Sequence, residues 1–439
     1  MDAQTLNPLT EQQILDAVAA LQPASVALLS DLVAQPSLLG DEAGAQALMA
    51  QQFAGLGLKV HEFEVDEAKI KDHPGYSPSI LPYAGRRNVV GIHQPAGPVR
   101  GKSLILNGHI DVVPVGTDSL WSTPPFAPRI EGHPLTGRLY GRGSADMKAG
   151  IVAYTQAFRA LRNLGYEPAA PVYLQSVVEE ECTGNGALAC LVEGYTADAA
   201  IIPEPFEGVM SAQMGVMWLT IDVHGLPVHA SVAHTGLSAI GYAQQMVEWL
   251  RELETAWNRP ANRHACYAGH PHPINFNLGR ISGGEWTSSV PTHCRVDMRL
   301  GFYPGRTPAE VRAEVEAHLA ASHARFVQQS GSDSLKYTVS YQGFQAQGCV
   351  VDVQQPAIQA LMQAHRDIAG AEPPLNATPA TTDVRFFHLY GQIPSTCYGP
   401  NGADIHGIDE WVSLASMQRV TAVLALYIAR WCGLNRRPA

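Results

Sequence analysis

The sequence predicts an α/β fold interrupted by an inserted β-α-β-β-α-β module. Short apolar strands alternate with helices up to about residue 212, the order then becomes strand, helix, two strands, helix, strand, and alternation returns from about residue 344. The expected organisation is therefore one α/β unit in two parts, 1–212 and 344–439, with 213–343 as a ferredoxin-like insertion.

Each element has its own signal. Residues 10–35 and 43–56 carry helical periodicity, with Ile14, Val18 and Leu21 along one stripe. Residues 87–92 and 103–107 are short apolar runs bounded by Gly or Pro, as buried strands are. A helix is expected over 147–164 and strands over 172–178 and 199–202. In the insertion, strands are expected over 217–223, 274–281, 294–300 and 335–341. Its helices should cover 238–257 and 307–326, the second started by Thr-Pro. A buried helix should include 420–431.

Composition narrows the class. The 439 residues are 46% hydrophobic, enough for a large core. Lys+Arg number 29 against 40 Asp+Glu, a net charge of −11, which disfavours nucleic acid and anionic membrane as partners. The seven cysteines are widely spaced with no C-x-x-C, so neither a disulfide framework nor a thiolate zinc site is expected. The N-terminus lacks a basic segment followed by an apolar core, and no apolar run reaches the ~18 residues of a spanning helix. A cytoplasmic protein is the expectation.

Five segments place His, Asp or Glu beside a strand end or helix start. In Gly108-His-Ile-Asp-Val-Val-Pro114, His109 and Asp111 are two apart and point the same way on an extended chain. In Gly141-Arg-Gly-Ser-Ala-Asp-Met-Lys148, Asp146 stands at a helix mouth, where it is either a cap or a ligand. Glu179, Glu180 and Glu181 follow an apolar strand, where like charges are costly unless cations are near. Glu204 sits stiffly between two prolines, and His406 precedes the last helix. Singly, each reads as loop decoration. Together they form a nitrogen/oxygen donor set without thiolate, which suits a catalytic zinc pair about 3.5–4 Å apart rather than a structural ion.

These motifs, in this order, resemble the co-catalytic zinc hydrolases that include acetylornithine deacetylase, succinyl-diaminopimelate desuccinylase, glutamate carboxypeptidase and aminoacylase. The resemblance runs from about Val89 to Val412. It implies a zinc-peptidase-like catalytic domain with the insertion as lid and dimer contact. It implies His109, Asp146, Glu181, Glu204 and His406 as metal ligands, Asp146 bridging, with Asp111 orienting His109. Glu180 is implied as general base, in a triplet where the family usually reads Asp-Glu-Glu. His229, in Gly225-Leu-Pro-Val-His229-Ala-Ser231, resembles the family histidine that stabilises the oxyanion in the partner subunit's site; His224 and His234 are its neighbours. Arg299 resembles an arginine that binds substrate acid groups. Ser288 stands where the family usually has Asn, three residues before Pro291. Asp383 and Arg385 resemble a segment near the site, readable as a structural ion pair or as substrate contacts.

The implied function is metal-dependent deacylation of an N-acyl amino acid or related small amide, acetylornithine deacetylase-like, with two zinc ions or cobalt or manganese in their place. A dipeptidase or carboxypeptidase of the same family is the alternative within hydrolysis, and a catalytically silent binding protein the alternative outside it. A homodimer through the lid is implied, with no nucleic acid and no membrane partner.

Overall fold

The computed structural model describes residues 8–331 and 333–437. The expectation for residues 1–7 lies outside them. A six-stranded sheet forms the centre, in the order Lys59–Glu64, Arg87–His93, Val172–Val177, Leu104–His109, Ala200–Ile202, Ser395–Cys397. The first two pairings are antiparallel and the last three parallel. The Leu104–His109 strand is buried at every position, as its unbroken apolar run requires.

Helices cover this sheet. Ala149–Asn163 packs against Leu414–Trp431 and Glu11–Val33, and Leu414–Trp431 also meets Pro356–Ala369. The Glu11–Val33 helix begins with a capping box between Thr10 and Gln13. One expectation is corrected here: by length and composition this helix is long and apolar enough to cross a membrane. Its Ile14, Val18, Leu29, Leu32 and Val33 are instead spent on the core.

Residues 215–340 build a second antiparallel sheet, ordered Phe276–Gly283, His293–Phe302, Gly215–His224, Lys336–Ser340. By module strand that order is 2-3-1-4, the ferredoxin-like arrangement. Met217, Leu219, Ile221 and Val223 alternate inward and join Val296, Met298 and Leu300 in a core of their own beneath Ala239–Asn258 and Pro308–Ser330. The returning segment Gln345–Ala346 still pairs with the start of the Gly215–His224 strand.

The observed helices and strands follow the expected periodicities closely. The exception is the start of the 147–164 helix. The regular helix opens at Ala149, and Ser144–Lys148 forms a wider turn in which Asp146 has non-helical backbone angles. Asp146 therefore does not cap the helix.

Candidate metal centre

Three adjacent parallel strands end at one edge of the central sheet, and each carries a cluster residue at or just past its C-terminus. His109 ends its strand, Glu179, Glu180 and Glu181 follow Val172–Val177, and Glu204 follows Ala200–Ile202. Ligands sit at such edges because the loops leaving parallel strands converge there. The other two residues arrive on a small sheet. Its strands Arg138–Tyr140 and Trp411–Ser413 pair as Trp411 with Tyr140 and Ser413 with Arg138. This brings the loop through Asp146 against the loop through His406.

The resulting geometry is two three-residue sets sharing one carboxylate. His109, Asp146 and Glu204 form one; Asp146, Glu181 and His406 form the other, with the donor atoms of each set within 4.8 Å of one another. Asp146 Oδ1 lies 3.1 Å from His109 Nε2, and Asp146 Oδ2 lies 3.4 Å from His406 Nε2. Glu204 Oε2 is 3.8 Å from His109 Nε2, and Glu181 Oε2 is 3.1 Å from His406 Nε2. His109 Nδ1 donates to the Asp111 carbonyl at 2.9 Å, which leaves Nε2 free for a cation. The expected role of Asp111 is thus divided. Its carbonyl orients His109, while its carboxylate, 3.9 Å from Nδ1, accepts the amides of Glu180 and Glu181 at 3.2 Å each.

Glu179 turns away from its two neighbours. Its backbone is left-handed, φ 69°, and its buried carboxylate accepts from Arg86 Nη1 at 2.7 Å, Tyr83 OH at 2.6 Å and Thr183 Oγ1 at 2.7 Å. Arg86 is also paired with the buried Glu42. This anchor leaves Glu180 and Glu181 facing the cluster. Glu180 is buried and its Oε1 has no hydrogen-bond partner among the described residues.

The electrostatics suit a cation. Burial pushes the Glu180 carboxyl well up and Glu204 to about 8, helped by the carboxylates around them. Glu181 chiefly, with Asp146, raises the His406 imidazole to about 11. Burial opposes protonation of His109, but Glu204 and Asp146 outweigh it. The carboxylates thus favour protonated histidines at positions that divalent ions fit. The donor set, one imidazole and two carboxylates on each side without thiolate, suits zinc and similar ions.

This has a measurable consequence. A cation entering must displace those protons, so its affinity should rise with pH through neutrality and level off only near pH 11, where the His406 imidazole gives up its proton unaided. Calorimetric titration in buffers of different ionisation heat should show proton release. A pH-independent affinity without release would count against the arrangement. In the metal-free protein the His406 contribution to stability is full below 6.5 and disappears as pH rises through about 11.

Two further residues hold the centre that residue-by-residue reading of the sequence did not single out. Glu410 Oε1 accepts the amides of Ala145 and Asp146 at 2.9 and 3.0 Å, and Oε2 accepts the Gly143 amide at 2.9 Å and Arg142 Nη1 at 2.7 Å. Arg142 Nη2 also donates to the Gly407 carbonyl at 2.9 Å. One buried ion pair thus clamps the Asp146 and His406 loops together. The only signal in the sequence was proximity, Glu410 lying four places after His406. Glu410→Ala should cost about 3–5 kcal/mol, the range for stranding a buried charge, with metal content falling too. Thermal melts and metal analysis check both; a variant unchanged in both would show the clamp is dispensable.

A cleft of about 710 Å³ runs from the cluster to the open face of the second sheet, lined by Glu180, Glu181 and His406 on one side and Trp218, Asn277 and Arg299 on the other. Arg299 Nη2 donates to the Pro379 carbonyl at 2.9 Å; burial lowers the guanidinium to about 10, still charged at neutral pH. His229 and Ser288 do not line this cleft. They sit side by side on exposed loops of the second sheet, joined through the Ala230 amide and the Ser288 carbonyl at 2.9 Å. The Ser231 amide donates to His229 Nδ1, placing the neutral ring's proton on Nε2.

The Asp383–Arg385 ion pair does not form among the described residues. Arg385 donates to the carbonyls of Thr382 and Thr183, both at 2.8 Å, and both oxygens of the buried Asp383 carboxyl lack hydrogen-bond partners. Burial raises that carboxyl to about 6.

Residues 105–430 match the model of peptidase family M20/M25/M40. The N-formyl-4-amino-5-aminomethyl-2-methylpyrimidine deformylase of Bacillus subtilis is 30% identical over 374 residues, 81% of this chain and 85% of that protein. The succinyl-diaminopimelate desuccinylase of Variovorax paradoxus is 25% identical over 405 residues, 89% of this chain and 94% of that one. Among solved structures, the di-peptidase Dug1p of Saccharomyces cerevisiae superposes with a TM-score of 0.77 at 14% identity, covering 96% of this chain and 98% of its own.

Proposed function

The chain belongs to peptidase family M20/M25/M40, and from that premise we propose that it is a two-zinc deacylase of N-acyl amino acids or related small amides. It is a hydrolase acting on amide bonds, of a metal-dependent family. The similar deformylase and desuccinylase each remove an acyl group from nitrogen by name, which favours deacylation over peptide cleavage. The observation that carries the reading is Glu180, a buried acid outside both ligand sets, beside two sets that share Asp146.

In this reading His109, Asp146 and Glu204 hold one zinc and Asp146, Glu181 and His406 the other. When bound, such a pair polarises the amide carbonyl and eases ionisation of the attacking water. Glu180 takes the proton from that water and delivers it to the leaving nitrogen. Its burial raises its affinity for the proton it must hold between the two steps. Asp111 keeps Glu180 placed through its amide. Arg299 receives the substrate carboxylate, with Ser288 as a further polar contact. His229 is an oxyanion donor supplied by the second subunit of a dimer built on residues 213–343, the lid domain. Its exposed Nε2–H and its position away from its own cleft favour donation in trans.

The test is a hydrolysis screen of zinc-loaded protein over N-acyl amino acids varied in both halves, with dipeptides alongside. Deacylation should exceed dipeptide cleavage. Faster dipeptide turnover would move the assignment to a dipeptidase, and no turnover with no bound zinc would leave a silent binding protein.

A further inference from the structure

The open face of the second sheet carries a row of side chains of which the proposed reaction uses only Arg299. Alternation sends Met217 and Leu219 into the helical side and leaves Trp218 facing the cleft. Trp218 stands opposite Arg299 on the next strand, and Arg299 opposite Asn277 on the one beyond. All three line the cleft that also contains Glu180 and His406.

The row is rigid. Phe344 meets Trp218 edge-on at 5.4 Å. A Cβ on Gly343 would fall 2.4 Å from the indole ring, so the bare main chain there, at φ +70°, packs directly on it. Behind Phe344 the Arg385 guanidinium lies 5.4 Å from the ring centre. The charges are just as definite. Arg280 and Arg295 both turn to Asp297, which also accepts from Thr220. Arg299 bonds only a carbonyl and forms no ion pair among the described residues. The row thus offers one fixed aromatic surface and one uncommitted guanidinium. It offers no free acid to a cationic side chain, since Asp297 is already engaged.

We infer that this row is the subsite for the amine half of the substrate and that it selects N-acyl amino acids with a flat aromatic side chain. The ring lies against Trp218 and Phe344, and the carboxylate sits on Arg299. The inference rests on the deacylase reading and adds the substrate class to it.

The test compares N-acetyl-phenylalanine, N-acetyl-alanine and N-acetyl-ornithine on the zinc-loaded protein and its Trp218→Ala variant. The wild type should favour the phenylalanine compound in kcat/KM by about 10–100-fold, the discrimination a shaped apolar pocket gives. Trp218→Ala should lose that preference through KM, falling much further on the phenylalanine compound than on the alanine compound, and Trp218→Phe should restore most of it. Equal or faster turnover of the ornithine compound, or an even loss on all three, would overturn the inference. A second measurement does not depend on turnover: 3-phenylpropanoate should bind about tenfold tighter than propanoate by calorimetry, and Trp218→Ala should abolish the difference. If nothing is hydrolysed yet that difference appears, the deacylase reading fails and the aromatic subsite stands. If hydrolysis occurs without any aromatic preference, the subsite fails and the deacylase reading stands.

Discussion

Glu180→Gln is expected to lower turnover by about 10²–10⁴-fold, the span for loss of a positioned base, while zinc content and melting temperature stay close to wild type. The size of the effect follows from what the side chain does not touch. Glu180 belongs to neither three-residue set, and its Oε1 has no hydrogen-bond partner among the described residues. The amide is nearly isosteric, so packing is kept and the backbone amide still reaches Asp111. What disappears is a group that can accept and return a proton. The raised proton affinity caused by its burial matters in the second half of that cycle, when the carboxyl must hold the proton until it passes to the leaving nitrogen. Parallel measurement of kcat and of metal per chain separates this from ligand loss. Wild-type kcat in Glu180→Gln would remove the residue from the proton-transfer role.

The parts of this centre visible in the sequence share one physical property: they depend on short-range order. Strand ends carrying His109, Glu180 and Glu204 were legible because each apolar run stops abruptly at a polar residue. The inserted module was legible because its strands alternate and its helices start at Ser238 and Thr307, both of which do cap. Long-range closure was not legible. Nothing local says that Glu410 reaches back to the amides of Ala145 and Asp146, a clamp fixed by the pairing of Trp411 with Tyr140. Nor does the sequence show that Lys148, two places past Asp146, is fully buried with its ammonium on the carbonyls of Leu32 and Gln35, tying the first helix to the same loop. The left-handed backbone at Glu179 was equally hidden, because glutamate seldom adopts it. That conformation is held by tertiary contacts such as the Arg86 and Tyr83 bonds to Glu179. Asp383 and Arg385 show the opposite error, since closeness in sequence suggested a pairing that their surroundings do not permit.

Asp146→Ala should remove more than any other single ligand change. Asp146 is the one residue common to both three-residue sets, with one oxygen directed to each histidine. Its removal leaves His109 with Glu204 alone and His406 with Glu181 alone, two donors each where a stable zinc site needs three or four. His406→Ala, by contrast, leaves His109, Asp146 and Glu204 intact. The expected order is therefore loss of both ions and of detectable turnover in Asp146→Ala, against loss of about one ion in His406→Ala. The fall in metal affinity for Asp146→Ala should exceed the ~10–100-fold typical of losing an outer partner. The two histidines also hold Asp146 well below the ordinary carboxylate range against the effect of its burial, so it enters the site already ionised. Dialysis against a chelator of graded strength, followed by metal analysis per chain, reads the order directly. Two ions retained per chain in Asp146→Ala would mean that the shared carboxylate is not what joins the two positions.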